Sequence, residues 1–299
     1  MDKLSLGIVS RTFFFVPVWC AVEQGLFVRE GLDVAIDLFG NAPQAEPLLD
    51  GRYHVSICNP ESVLHNAANG GPLRMAGGNC GLIHFMITQP ELKTFDSLRG
   101  KTIGILNQAE GTFHVLKQLM AKHGLQFPGD YNVRETGGVP ARHKALQARE
   151  IDAGLQSIPL NFAAEELGYN NLGDINDTVP DWQFTSVNVN RDWALAHEDV
   201  MVRFLRALLA GTRWMYEHRE GAIAVAEREM QISRDYAARG WAYLTGRGLI
   251  ARDLRLNHTA LSNMIATLSA AGLLPAGMST DPAPFIDYRW LDRASLPAA

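Results

Sequence analysis

Cysteine is scarce in this chain: Cys20, Cys58 and Cys80 are the only three in 299 residues. No two of them form a Cys-x-x-Cys pair. An odd, widely spaced set speaks against a disulfide framework and a structural zinc site, and fits a reducing compartment. The nine histidines form neither His-Glu-x-x-His nor His-x-x-Glu-His, so no zinc site is expected. Basic residues are not in excess either. Lys and Arg number 27 against 32 Asp and Glu, a net charge of −5, and no clustered basic run supplies the footprint of nucleic-acid binding. No apolar run approaches the length of a membrane span. The Gly-x4-Gly-Lys phosphate loop and the Gly-x-Ser-x-Gly elbow are both missing, which removes the commonest nucleotide and serine-hydrolase signals. No cofactor is expected.

What is present is an ordinary globular composition, 47% hydrophobic and 20% charged, in a chain long enough for one large domain or two lobes. Short strands and helices alternate through its first half. Residues 4–9 suit a buried strand. Pro17 suits the first turn of a helix, Gly25 its end, and residues 32–36 a second strand. The pattern continues through a helix at 45–50, a strand at 53–58, a helix at 60–68 and a strand at 73–76. Gly77-Gly78-Asn79-Cys80-Gly81 reads as a flexible loop. Strands at 82–88, 102–105, 131–135 and 150–155 and helices at 112–123 and 139–149 follow, pointing to layered α/β architecture. Residues 182–190 alternate as a strand. Beyond Asp192 the texture is helical, with Met201, Phe204, Leu205, Leu208 and Met215 on one buried stripe.

Three stretches carry a family likeness: Ala21-x-Glu23-x-Gly25-Leu26-Phe27 behind the Pro17 helix, Glu30-Gly31-Leu32-Asp33-Val34, and Leu98-Arg99-Gly100-Lys101 before a strand. With Asp152-Ala153 and the helical tail, they extend it over nearly the whole chain. The sequence resembles the periplasmic-binding-protein-like (type 2) superfamily, in its sulfonate, nitrate and thiamin-pyrimidine solute-binding group. The same superfamily includes a cytosolic aromatic desulfinase and a pyrimidine synthase. The resemblance implies a two-lobed α/β fold with a helical C-terminal region. Lobe 1 would take residues 1–89 and 186–299, and lobe 2 residues 90–185. It also implies a small-molecule ligand held in a cleft between the lobes, and an ABC permease as partner if the chain serves import.

Within that frame the loops that follow strands and precede helices are the candidate contacts. On the first lobe these are Ser10, Arg11, Thr12 and Phe14, then Asn41, then Asn59 and Glu61. On the second they are Gln108, Gly111, Thr112 and Gln156. Arg11, ahead of a helix N-terminus, is the expected anion-binding cation, with Arg74 as the reserve. By a strand's alternation Phe13, Phe14 and Phe15 cannot all be core, so at least one should point into the cleft, where it would stack on a flat ligand. The ligand expected is therefore small and anionic, with an aromatic body as an added option.

An enzyme on the same fold, a decarboxylase or desulfinase of an aromatic acid, is the alternative, with His114 and Glu61 as its acid and base. The desulfinase's cysteine does not carry over, because its place falls near Thr12. Cys20 lies inside the first helix, where a buried thiol acts as a small hydrophobe. The N-terminus Met1-Asp2-Lys3 leads straight to the first strand without a signal sequence. The chain as written is thus expected in the cytoplasm, or in the periplasm if Met1 replaces a removed leader.

Overall fold

The computed structural model describes residues 1–39, 44–108 and 110–296. In chain order its strands are β1 (Asp2–Ile8), β2 (Leu32–Leu38), β3 (Val55–Cys58), β4 (Leu73–Gly81), β5 (His84–Thr88), β6 (Thr102–Ile105), β7 (Asn132–Glu135), β8 (Ala153–Ser157), β9 (Asn170–Asp174) and β10 (Gln183–Asn190). They form two separate five-stranded sheets, β2-β1-β3-β10-β4 and β7-β6-β8-β5-β9. In the first, β1 runs parallel to β2 and β3, and β10 runs antiparallel to β3 and β4. The second repeats the scheme, with β6 parallel to β7 and β8 and β5 antiparallel to β8 and β9. Helices flank both sheets. The fold is the periplasmic-binding-protein-like α/β fold.

The chain divides into two compact units, Met1–Gly81 with Gln183–Ala299, and Leu82–Trp182. These bounds differ from the expected 89/90 and 185/186. β5 belongs to the second unit because all five of its residues pair with β8. β10 begins the return to the first unit at Gln183, since its whole length pairs there.

Two local expectations fail for physical reasons. Residues 77–81 are not a loop but the second half of β4. Gly77 and Gly78 are favoured there because the chain near residue 254 passes close by. Cβ atoms at Gly77 and Gly78 would stand 3.1 Å from the Leu254 carbonyl oxygen and 2.6 Å from that of Arg255. That crossing segment also pairs with the strand: Gly78 N–H donates to the Leu254 carbonyl, Gly81 N–H to that of Leu249, and Ala251 N–H to that of Asn79. Glycine inside a strand here marks close backbone approach. The phenylalanine triplet likewise has no exposed member. Phe13–Phe15 is a 3-10 turn rather than a strand, so alternation does not apply, and all three rings are buried. The helix Leu160–Glu166 and β9 carry no strong sequence signal and were not anticipated.

The helical tail packs on the first unit through a close contact. The helix Glu198–Glu217 buries Met201, Phe204, Leu205, Leu208 and Met215, the anticipated stripe, and its Gly211 lies against the helix Val16–Glu23. A Cβ at Gly211 would fall 2.6 Å from the Pro17 carbonyl oxygen and 2.7 Å from the Ala21 Cβ. Gly211→Ala should therefore destabilise the protein by about 1–3 kcal/mol, the usual cost of overpacking. Urea unfolding would show it, and an unchanged midpoint would mean that the helices part without penalty.

Buried histidines set an acid limit. The His54 Nδ1 accepts the Ser5 N–H at 3.1 Å, a bond that a protonated ring cannot accept, and Trp193 stacks between His54 and His197. Burial, with His197 nearby, holds His54 below the ordinary value of 6.5. Burial also lowers His143 and takes His84 down to about 3 and His114 to about 4. Each ring binds a proton less readily folded than unfolded. The stability they contribute is complete above about pH 6.5 and is lost as pH falls toward the folded values. The urea midpoint should accordingly drop between pH 7 and pH 5; a flat or rising profile would contradict this.

Candidate functional site

Parallel strands bring their carboxyl ends to one edge of a sheet, and in such sheets that edge is where ligands sit. In the first unit, β1, β3 and β4 end together, and antiparallel β10 begins there. The loop 9–15, the start of the helix Glu61–Ala68 and residues 183–185 therefore share a rim. It is tied down by buried amides. The Asn79 Nδ2 donates to the Phe14 carbonyl at 2.8 Å and to the Thr185 hydroxyl at 2.9 Å. The Gln183 Nε2 donates to the Thr185 carbonyl at 2.8 Å, and the Gln183 Oε1 accepts the Asn257 N–H. Phe14 and Phe184 pack with ring centroids 4.8 Å apart.

Of the residues anticipated on this rim, Ser10, Thr12, Phe14, Asn59 and Glu61 lie along it. Thr12 keeps a buried hydroxyl without a hydrogen-bond partner. Asn41 lies outside the described residues. Arg11 is turned elsewhere. Its guanidinium, about half exposed, pairs with Glu229 on the helix Arg219–Met230 and lies over the Trp19 ring at 4.8 Å. Its charge is thus already matched. Arg74 spends its Nη1 on the carbonyls of Gly71 and Leu73, the edge-capping role open to it from sequence.

The second unit has the same kind of rim, where β6 and β8 end and β5 begins. Gly111–Lys122 is the helix that follows β6, and the Glu110 side chain caps its start by accepting both the N–H and the hydroxyl of Thr112. Gly111 and Thr112 are buried in this cap, while Gln108 is exposed, with its N–H donating to Glu135. His114 is buried one turn further on, its Nε2 without a partner. At pH 7 it is neutral. It belongs to the second unit, whereas Glu61 and Arg11 belong to the first.

Two buried polar groups at this rim are Gln156 and a residue not anticipated, Arg142. Gln156 has no exposed surface, and neither end of its amide finds a partner. Arg142 stands on the helix Val139–Gln147 and is only 3% exposed. Its side chain runs across Gly104 of β6 and Gly154 of β8, residues paired in register. A Cβ at Gly154 would come within 2.9 Å of the Arg142 Cδ. The Arg142 Nε donates to the Leu155 carbonyl at 2.8 Å, one residue past the last β6–β8 pair. Burial lowers Arg142 to about 10, and nearby Glu110 opposes the shift; the guanidinium stays charged at neutral pH. Burial likewise raises Glu110 from its ordinary value, against its bonds to Thr112 and the nearby guanidinium. The two strand glycines were the signal that could have found Arg142.

A family model described as NMT1/THI5 like matches residues 12–222, most of the chain. The chain belongs to the NMT1/THI5-like family. Among its relatives, YtlA of Bacillus subtilis (strain 168), whose name gives it a provisional binding role, is 21% identical over 243 residues, spanning 73% of this chain and 67% of its own. The ligand-binding component of an ABC-type import system from Staphylococcus aureus superposes with a TM-score of 0.80 at 15% identity, covering 99% of each chain. The alkanesulfonate-binding protein SsuA from Xanthomonas axonopodis pv. citri gives 0.78 at 19%, covering 96% of this chain and 98% of its own. The desulfurization enzyme DSZB shares the fold too, at 0.73 and 13%, covering 98% of this chain and 99% of its own. At such identities these likenesses establish fold alone.

For this member of the NMT1/THI5-like family the thiols are closed to chemistry. Cys20, Cys58 and Cys80 are all buried. Burial pushes Cys20 up to about 12 and Cys58 to about 11, and raises Cys80 as well. Among the described residues, no group of three or more His, Cys, Asp or Glu could hold a metal ion. No helix there is long and apolar enough to cross a membrane. A thiol reagent at pH 8 should label far less than one cysteine per native chain and all three after denaturation. Rapid native labelling of Cys20 would reopen thiol catalysis.

Proposed function

We propose that this protein binds a small organic molecule at the carboxyl edge of its second sheet and serves as the substrate-binding component of an ABC-type importer. The observation that carries this reading is Gln156, a fully buried amide at the end of β8 with both polar ends unmatched. Buried polar groups are nearly always paired, so an amide left open at a sheet's carboxyl edge is a place for a ligand's own donor and acceptor. The binding names of YtlA and of the S. aureus import component support the same direction.

The enzyme alternative draws less support. Its thiol route is closed by burial, and burial lowers its candidate base His114 to about 4, which leaves it a weak base at neutral pH. A thermal-shift screen of arylsulfonates, aromatic carboxylates and aminopyrimidines tests the reading. A ligand at a hundred times its Kd should stabilise the native state by about 2.7 kcal/mol, and Gln156→Ala should weaken the best hit. Mass spectrometry on that hit decides the rest. Recovery of the unaltered molecule supports a binding protein, and its conversion to product would replace this reading by the enzyme.

A further inference from the structure

We infer that Arg142 and Gln156 together form the charge-selecting part of the second unit's rim, and that they accept an oxyanion carried by the ligand: a carboxylate, sulfonate or phosphate. The inference rests on the small-molecule reading above and names what that site selects.

Arg142 carries a full charge into a place that is 97% covered, a costly position unless an anion answers it. Among the described residues no carboxylate lies within ion-pair reach of it. Glu110 is near enough to offset part of that cost, but it makes no ion pair with the guanidinium, and its Oε2 accepts the N–H and hydroxyl of Thr112. The Arg142 Nε is bonded to the Leu155 carbonyl, and no described acceptor engages the two terminal nitrogens. Those are the nitrogens that meet a carboxylate or sulfonate side by side.

Gln156 supplies the second, independent sign. Strand alternation places it on the same face of β8 as Gly154, two residues earlier, and that is the face Arg142 crosses. Its Nε2 can donate to a further oxygen of the same anion, and its Oε1 can accept from a hydroxyl or amine beside it. The site is also held in shape before any ligand arrives. Gly104 and Gly154 form a slot that fixes the aliphatic stem of Arg142, and the Leu155 carbonyl fixes its rotation. Preorganised donors of this kind lose little on binding.

The two competing anion positions are both occupied. The N-terminus of the helix Gly111–Lys122 is closed by Glu110, and Arg11 is paired with Glu229.

The test uses benzoate and benzenesulfonate beside their neutral counterparts, benzamide and benzenesulfonamide, on the whole protein. Calorimetry should show the acids binding about tenfold or more tightly than the amides, the scale set by hydrogen bonds to a charged group. In nitrogen-15 spectra the Arg142 Nε–H resonance, assigned through Arg142→Lys, should shift and saturate with the acids. Arg142→Gln should weaken the acids by about tenfold or more, and Arg11→Ala should not. The resonance shift on the native protein keeps the inference open to refutation even if Arg142→Gln fails to fold. Acids and amides binding alike, or an unmoved Nε–H signal at saturation, would overturn the inference and leave small-molecule binding standing. Saturable binding by none of the four probes would also overturn it, while the wider screen decides the binding reading itself.

Discussion

Each sheet of this protein contains one strand that runs against its neighbours, and the rims depend on that reversal. In a wholly parallel sheet, every strand reaching the carboxyl edge would be at its end. Here β10 in the first unit and β5 in the second lie between strands that end at that edge, and they begin there. A beginning strand brings in side chains that no preceding helix has to follow. That is how Gln183, Phe184 and Thr185 come to fasten Asn79 and Phe14, and how Phe85 comes to lie opposite Gln156. Because strands paired in register point their side chains to one face, the reversal also settles what Gln156 stands beside.

Much of the architecture was legible because it rests on local rules. The alternation of strands with helices, the Pro17 start and the stripe from Met201 to Met215 report periodicity and backbone freedom directly. Local rules misled where a distant segment decided the outcome. The run from Gly77 to Gly81 has the composition of a loop, yet it is strand because residues 249–254 come back to pair with its outer edge. The three phenylalanines would alternate in a strand, but a 3-10 turn buries them all, with Phe13 set against Gly240. Here tertiary packing overrode a pattern that was genuine on its own terms.

The candidate site divides along the same line. The position of its loops followed from strand order, which pointed to Thr112, while the family likeness pointed to Gln156. The fate of their polar atoms followed from neither. Thr112 sits at a helix start as expected, but its N–H and hydroxyl are taken by Glu110, so the helix N-terminus offers nothing to a ligand. Gln156, one residue past Leu155 and the end of its parallel ladder, is left with nothing. Such differences come from side-chain partners, and no spacing rule encodes them.

The two arginines show the same limit in energetic form. Arg11 and Arg142 are equivalent as letters, and proximity to a helix start favoured the first. In the folded chain Arg11 is about half exposed and paired, and an exposed pair of that kind is worth about 0–1 kcal/mol. It neither demands nor lacks an anion. Arg142 differs because water is excluded from it, so its Coulomb interactions are screened far less and an unanswered charge is far more costly. What makes its burial possible is the removal of two side chains, at Gly104 and Gly154, on adjacent strands in register. A glycine inside a strand weakens that strand through lost packing and added unfolded-state freedom. The second sheet bears that cost twice at one level, and in return it seats a cation under its carboxyl edge.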